Sequence, residues 1–541
     1  MSLWETSASE GKRALATVLP PCVQYEDSHL LVVRKPAGWN THAPSPYAGE
    51  GIYDWLRHRE PRWATLAILH RLDKETSGLL VFGKTPEANR SLTQQFTDRS
   101  VLKRYTLWVN RRPDREAWTI QSVLIRTGDR YTSRPLAESG ERAETCFRVV
   151  GPVEGGHWEV EAEPRTGRTH QIRVHAAEAN CPIVGDLLYG GVKFSRVCLH
   201  AAQLELAHPV DGRRVRFESV ADFLSEPRIQ LRSAVISPNE TDAFRLRHGA
   251  SDGTPQTYVD QVGPFTLVQQ PSAEAIPTHL AGGVYRKILR RDVRQSTTEE
   301  TSPQHVTGLT APDRFFIREN GLKYELSFRE GYSVGLFLDQ RDNRRRLLVN
   351  QVAAGFPLRQ KENDLTGAEV LNAFAYTCGF SLCAAVAGAR TTSLDLSRKY
   401  LDWGRRNFVH NHLDPAAHDF IFGDCFDWIK RLAKKGRVFD IVVLDPPTFS
   451  RSKEWGDFRA DQDYGRLVTS VMPLLKADGV LLASTNAARF EPEVFLAQVR
   501  EAIRQTGRRI GQEHYVPQPP DFPISRAEPA YLKTVWIRIV K

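Results

Sequence analysis

Cysteine is sparse and scattered in this chain. The seven residues (22, 146, 181, 198, 378, 383 and 425) form no C-x-x-C pair and are odd in number. That spacing argues against a disulfide framework or a zinc site and suits a reducing cytoplasm. Histidine supplies no metal set either. His170 and His175 are five residues apart, the wrong spacing for one helix face, and His410-Asn411-His412 falls at the polar end of a predicted helix. No metal is expected. Long apolar runs are also missing; no stretch reaches the 18 residues of a membrane span. The first residues, MSLWETSASEGKR, carry acids and no apolar core, so no signal peptide is expected. No internal repeat is evident. Acidic residues are the minority charge: 64 Asp and Glu against 73 Lys and Arg leave a net charge of +9, which points to a polyanionic partner.

A chain of 541 residues predicts about two to four domains. Residues 1–232 carry many short strand-like runs punctuated by Gly, Pro and Asp, such as LLVVRKPAG, GLLVFGK and YTLWV. In HWEVEAEP, Trp158, Val160 and Ala162 alternate with glutamates at a strand period. Thr85-Pro86-Glu87 opens a helix with Thr as its cap and Pro at the first position. This part reads as α+β with a mainly antiparallel sheet. Residues 336–541 alternate strand and helix: AEVLNAF, TTSLDLS, HDFIFGD, FDIVVLDPP and GVLLAST are strands, RKYLDWGRRNFVHNH and CFDWIKRLAKK helices, and RIGQEHYV and LKTVWIRIV two closing strands. That alternation predicts a doubly wound, Rossmann-like α/β domain with ligands at the carboxyl ends of its strands. Between them, residues 233–335 read as a small strand-rich module or linker, in which Arg294–Pro312 is a polar, mobile loop.

Asp73 sits in HRLDKETSGLL, and an isolated D-x-x-T-S-G is ordinarily a turn cap. Other segments change its weight. Tyr105 follows two basic residues at a strand start, and RTGRTHQIRVH gathers three arginines and two histidines into eleven residues, a set suited to an RNA backbone and an extruded base. HRLDKETSGLLVFGK, KRYTLWV, RTGRTHQIRVHAAEANCPIVGDLLYGG and LHAAQLELAHP resemble, in order, the motifs of the RluA-type pseudouridine synthases. VVRKPAGWNTH matches the opening motif except that Trp39 and Asn40 replace small or aliphatic residues. The resemblance covers about residues 20 to 225 and implies isomerisation of uridine to pseudouridine in RNA without cofactor or metal. It implies that Asp73 is the catalytic aspartate, that Tyr105 packs on the base and assists proton removal, and that Arg71 inserts into the RNA. Arg173 pairs with Asp73, with Arg168 the second choice. An arginine suits that task because it keeps its proton beside a buried carboxylate. The S-four RNA-binding domain frequent in that family is not expected, since only about twenty residues precede the first strand.

In the α/β part, Asp395, Asp424 and Asp445 end three consecutive predicted strands and line one rim of the sheet. An acid after the second strand can accept hydrogen bonds from a ribose. The pattern N-x-F-x-Y-T-x-G-F with SLDLSRKYLDWGRRN, DCFDWI and VLDPPTFSRSK resembles the class I S-adenosylmethionine-dependent RNA methyltransferases, nearest to the large-subunit ribosomal RNA methyltransferases of types K and I. GLFLDQRDNR and DGTPQTYVDQ resemble upstream segments of the same families, so the likeness covers about 240 to 541. It implies an S-adenosylmethionine site formed by Asn372, Phe374, Tyr376, Thr377, Gly379, Asp395, Leu396, Asp424, Cys425 and Asp445. Tyr376, Thr377 and Gly379 would cradle the methionine part, Asp395 the ribose, and Asp424 and Cys425 the adenine. Pro446, Pro447 and Phe449 would face the target base. Cys378 stands where the family commonly has a small residue, often Gly; a thiol there is expected to be tolerated, with crowding of the cofactor the alternative.

The methylated atom follows from an absence. Carbon-5 of a pyrimidine needs a cysteine to activate the ring; the type I place for it reads LLASTNAARF here, and no cysteine follows Cys425. A ring nitrogen has its own lone pair and needs only positioning, so guanine N7, implied by the K-type likeness, is expected. The implied partner is RNA: large-subunit (23S) ribosomal RNA or its assembly intermediates, with no membrane. The alternatives are a synthase acting on transfer RNA with a methyltransferase aimed at cytosine C5, and one half serving only as an RNA-binding or assembly module.

Overall fold

A computed structural model describes residues 18–540 apart from 273–275, 277–279, 281, 290–295, 361 and 453–455, with backbone alone at 451, 452, 456 and 457. The first part folds around an eleven-stranded sheet that is antiparallel except where Leu199–Ala207 runs parallel to Ser77–Gly83. The run at Ser77–Gly83 is buried throughout because it has core on both faces. Leu80 and Phe82 join a cluster under the helices Ile52–Arg59 and Pro227–Val235, while Leu79 and Val81 join one under Pro86–Thr97. Thr85 caps the last helix, its hydroxyl accepting from Ala88 N at 3.2 Å.

The second part is a seven-stranded sheet. In spatial order the strands are Asp419–Phe422, Arg390–Asp395, Glu369–Ala373, Phe439–Leu444, Leu475–Thr485, Lys533–Val540 and Arg509–Val516. The first five are mutually parallel and the last two antiparallel to their neighbours. Strand order reverses between Glu369–Ala373 and Phe439–Leu444, the switch point at which such sheets bind ligands.

The central module is not a linker. Its five-stranded sheet runs from Ala243–His248 to Gln304–Thr307, so part of the segment expected as a mobile loop is an edge strand, preceded by the short helix Thr298–Thr301; residues 290–295 lie outside the described set. Ala243, Val262, Phe265 and Tyr285 share one core with Leu336, Leu382 and Ile441 of the α/β part. The hairpin Phe315–Glu319/Leu322–Leu326 docks on the helix Arg398–His410. There, Trp403 Nε1 donates to Glu325 O at 2.9 Å, and Arg406 holds the Glu325 carboxylate.

One short helix joins everything. Arg341–Leu348 reads RDNRRRLL, a surface pattern, yet Arg341, Arg344, Arg345 and Arg346 are only 2–4% exposed. Each faces an acid. Arg341 clamps Asp521 at 3.0 and 2.6 Å and Arg344 clamps Glu319 at 2.6 and 2.7 Å. Arg345 pairs with Glu60 of the first part, and Arg346 lies 3.9 Å from Glu50. Asp342 on the same helix accepts from Trp55 Nε1 at 3.1 Å. Trp55 meets Trp39 edge-on at 5.7 Å, and Trp39 Nε1 donates to Glu50 O at 2.8 Å. The tryptophan that departs from the resembled motif therefore supports the contact between the first part and the α/β part.

Removing one partner of a buried pair leaves an uncompensated charge at a cost of about 3–5 kcal/mol. Arg345→Met is accordingly expected to lower the denaturation midpoint of the full chain, and Arg345→Met combined with Glu60→Gln to recover most of the loss. Equal midpoints for the single variant and wild type would show that this pair does not hold the interface.

Candidate active sites

A cleft of ≈1070 Å³ opens on the first sheet, with Arg71, Lys103, Arg165 and Arg168 among its lining residues. Asp73 lies in its wall on a loop fixed from several sides. Thr76 N donates to Asp73 O at 3.2 Å, and Thr41 Oγ1 donates to Leu72 O at 2.8 Å. Lys35 Nζ, buried beneath, donates to the carbonyls of Pro36, Trp39 and Lys74 at 2.9, 2.7 and 3.2 Å; burial pushes its ammonium down to about 7. Ser77 Oγ is held by His200 Nδ1 at 2.8 Å and Arg196 at 2.6 Å. Gly78 has φ +118, and a Cβ there would come 2.4 Å from Ala201 O, so the parallel strand pairing requires glycine. Ser77 and Gly78, which open the strand rather than form a turn, thus anchor the Asp73 loop.

His170, at the left-handed φ of 56°, starts the helix Gln171–Glu178 that carries Arg173. Arg173 NH1 lies 3.7 Å from Asp73 Oδ2 and 3.6 Å from Glu75 Oε2, and His170 Nε2 lies 3.9 Å from Asp73. Arg173 is itself clamped by Asp186 through Nε at 2.7 Å and NH2 at 2.9 Å. Its NH1 is buried and has no hydrogen-bond partner among the described residues. Burial raises the Asp73 carboxyl above the usual range, while His170 and Arg173 pull it the other way. Tyr105 lines the cleft, its phenol raised by burial and then by Asp73. Arg71 is exposed on the wall. Arg168, the second choice as partner of Asp73, is turned to Glu141 at 2.9 Å instead. The histidines are scaffold: His70 accepts from Val81 N at 3.1 Å, and His175 is buried between Ser122 and Thr145 at 3.0 and 2.9 Å.

The second site lies along the carboxyl ends of the parallel strands. After Glu369–Ala373 the chain takes positive φ at Phe374, Tyr376 and Cys378 (59°, 49° and 63°), then enters the helix Gly379–Val386 with no side-chain cap. Its first N–H groups need an acceptor, and the helix dipole favours an anion such as a methionine carboxylate. A Cβ on Gly379 would lie 3.2 Å from Leu336 and 3.4 Å from Arg344, so a larger residue would press on the floor of the cradle. Asp395 accepts from Tyr376 N and Ser397 N, both at 2.8 Å, leaving a further lone pair on each oxygen. Leu396 and Phe422 stand 46% and 49% exposed at neighbouring strand ends. These features fit the adenosyl and methionyl parts of S-adenosylmethionine.

Several expected ligands face inward. Asn372 donates to Ser381 Oγ at 2.9 Å, and Thr377 Oγ1 donates to Gly335 O at 2.6 Å. Asp424 caps the helix Cys425–Lys434, accepting from Phe426 N and Asp427 N at 2.9 and 3.2 Å; Cys425 is buried. Cys378 does not crowd the cradle: its sulfur packs on Gly404 of the neighbouring helix, where a Cβ would lie 2.4 Å away. Asp445 accepts from Gln340 Nε2 at 3.2 Å, and burial, with Asp339 nearby, pushes it up to about 7. Pro446 is buried behind it, while Pro447 is exposed and Phe449 half-buried.

Family profiles match both parts: RNA pseudouridylate synthase over residues 29–178 and S-adenosylmethionine-dependent methyltransferase over residues 302–538. The Ribosomal RNA large subunit methyltransferase of Deinococcus radiodurans is 32% identical over 328 residues, covering 57% of this chain and 76% of that protein. The chain belongs to both families. It is a pseudouridine synthase joined to an S-adenosylmethionine-dependent methyltransferase. Ribosomal RNA large subunit methyltransferase I of Aeromonas salmonicida is 32% identical over 325 residues, 57% of this chain and 77% of its own length. The K/L enzyme of Psychrobacter arcticus is 37% identical over 337 residues, 58% of this chain and 41% of its own.

Asp186, a lone acid in GDLLYGG, and Glu75, Tyr189 and Gln340 also touch residues of the two sites, with no pattern in sequence that marks them. Tyr189 ties His170 in place through its hydroxyl at 2.8 Å. In the synthase, Asp73→Asn is expected to reduce pseudouridine formation to background while RNA binding persists. Removing the cation in Arg173→Gln favours the protonated carboxyl, so the acid limb of the pH–rate profile is expected to move upward. An unmoved limb would remove Arg173 from the role of charge partner.

Proposed function

We propose that the synthase cleft isomerises uridine in RNA with Asp73 as the covalent catalyst, and that the methyltransferase modifies guanine N7 of large-subunit ribosomal RNA. One observation carries the first half: the buried Arg173 NH1, without a hydrogen-bond partner among the described residues, lies 3.7 Å from Asp73. Its charge offsets a burial that would otherwise neutralise the nucleophile. Tyr105 stacks on the extruded base and assists proton removal, and Arg71 holds the opened RNA. The exposed arginines of the cleft rim bind phosphates.

In the methyltransferase, S-adenosylmethionine supplies an electrophilic methyl group when bound. Tyr376 and Gly379 line its methionine part, Asp395 holds the ribose, and Leu396, Phe374 and the Asp424–Cys425 turn border the adenine. Asn372 and Thr377 hold that loop rather than touch the ligand. Asp445, Pro446, Pro447 and Phe449 present the base. The relatives named for ribosomal RNA support the substrate class. Nitrogen is supported over carbon by the thiols: burial pushes Cys378 and Cys383 up to about 12 and raises Cys425 further, so none of the three offers a ready thiolate.

Loss of a charged hydrogen bond costs about 1.5–3 kcal/mol, so Asp395→Ala is expected to weaken S-adenosylmethionine binding about 10- to 100-fold by calorimetry. Nucleoside mass spectrometry of large-subunit RNA from a deletion strain is expected to show less 7-methylguanosine. Loss of 5-methylcytidine with 7-methylguanosine unchanged would overturn the choice of atom.

A further inference from the structure

Glu50 and His58 belong to the synthase, just before and within the helix Ile52–Arg59, and His514 lies on the strand Arg509–Val516 of the methyltransferase. One ligand atom from each falls within 4.8 Å of the other two. Glu50 Oε1 and His58 Nδ1 are 2.6 Å apart, and the His58 and His514 rings meet edge to face at 4.5 Å. The bland account is a carboxylate–histidine hydrogen bond beside a packed ring. It leaves a fact unexplained: His514 Nε2 is shut off from solvent with no hydrogen-bond partner among the described residues. A buried ring nitrogen normally has one.

We propose that Glu50, His58 and His514 form a site for a divalent transition metal of the zinc type, clamping the synthase to the methyltransferase. The donor set of two imidazoles and a carboxylate is one zinc accepts, with water in the fourth position. His514 Nε2 has no hydrogen bond among the described residues that a metal would have to break. Glu50 Oε1 already faces a histidine nitrogen, His58 Nδ1, at 2.6 Å. On binding, the metal takes the place of the hydrogen on His58 Nδ1, and that proton passes through solvent to Nε2, so the ring stays neutral with a single N–H. The lone pair of His514 Nε2 fills the next position, and no electron is transferred.

Donor atoms around a tetrahedral zinc lie about 3.3 Å apart. The widest separation here therefore closes by at most about 1.5 Å, which ring and carboxylate rotation can supply. Arg346 NH2, 3.9 Å from Glu50, is the opposing influence. Its Nε and NH1 are already fixed on the carbonyls of Val352 and Asp342 at 2.8 and 3.0 Å, so it need not move into the site. The same guanidinium sets the affinity below that of a cation-free site.

The full-length protein, stripped with a chelator, is titrated with Zn²⁺ against a chromogenic competitor and, separately, with Co²⁺ in the visible region. One tight zinc per chain is expected, together with the Co²⁺ absorption of a four-coordinate site. His514→Gln, His58→Gln and Glu50→Gln should each weaken zinc binding at least about tenfold and abolish the Co²⁺ signal. Calorimetric binding of S-adenosylmethionine identifies variants that remain folded. Absence of a stoichiometric site in the wild-type chain would overturn the proposal on its own. So would zinc binding unchanged in the folded variants, which would place the metal at other side chains.

Discussion

Four buried arginines on one helix impose the constraint around which this chain is arranged. A guanidinium does not shed its proton, so burying one demands an acid within reach. Arg341, Arg344, Arg345 and Arg346 take theirs from four places: Asp521, Glu319, Glu60 and Glu50. Two of these acids belong to the synthase, one to the methyltransferase sheet's final loop and one to the hairpin of the central module. The helix thereby holds three elements at fixed register. Gln340, immediately before it, reaches Asp445. The ion-pair network and the proposed methyl-transfer site are therefore built on adjacent residues.

Asp73 poses the same contest on a smaller scale. Burial favours its neutral form; Arg173 and His170 favour the charged one. Arg173 is not free to move toward the substrate, because Asp186 fixes two of its nitrogens. Only NH1 is left to face Asp73 and Glu75. A rigid cation 3.7 Å from the carboxylate is a preorganised electrostatic partner.

Much of this was legible in the residues because local rules and the fold agree. Strand alternation at 157–164, the Thr85 cap, and three acids at parallel strand ends all have short-range signals. What stayed hidden depends on distant partners. RDNRRRLL carries no sign of burial until Glu50, Glu60, Glu319 and Asp521 surround it. Residues 304–307 looked like loop because an edge strand with exposed side chains has no apolar period. Trp39 was visible as a departure from the synthase motif, but its reason, Trp55 and beyond it Asp342, lies across a domain boundary. Asp424 caps a helix, a role that shares its place in sequence with a ligand aspartate, so the cap was not legible before the fold. Histidine spacing along the chain carries no sign of the His58–His514 contact, because the two rings meet only through the fold.

The chain carries two catalysts on one frame, each with its own chemistry. Inactivating one site at a time separates them. RNA from strains carrying Asp73→Asn or Asp395→Ala in place of the wild-type gene is compared by nucleoside mass spectrometry with position mapping. Asp73→Asn is predicted to lose one pseudouridine and keep the methylated base, and Asp395→Ala to lose the methylated base and keep the pseudouridine. Retention of both modifications in either strain would contradict the assignment of that site.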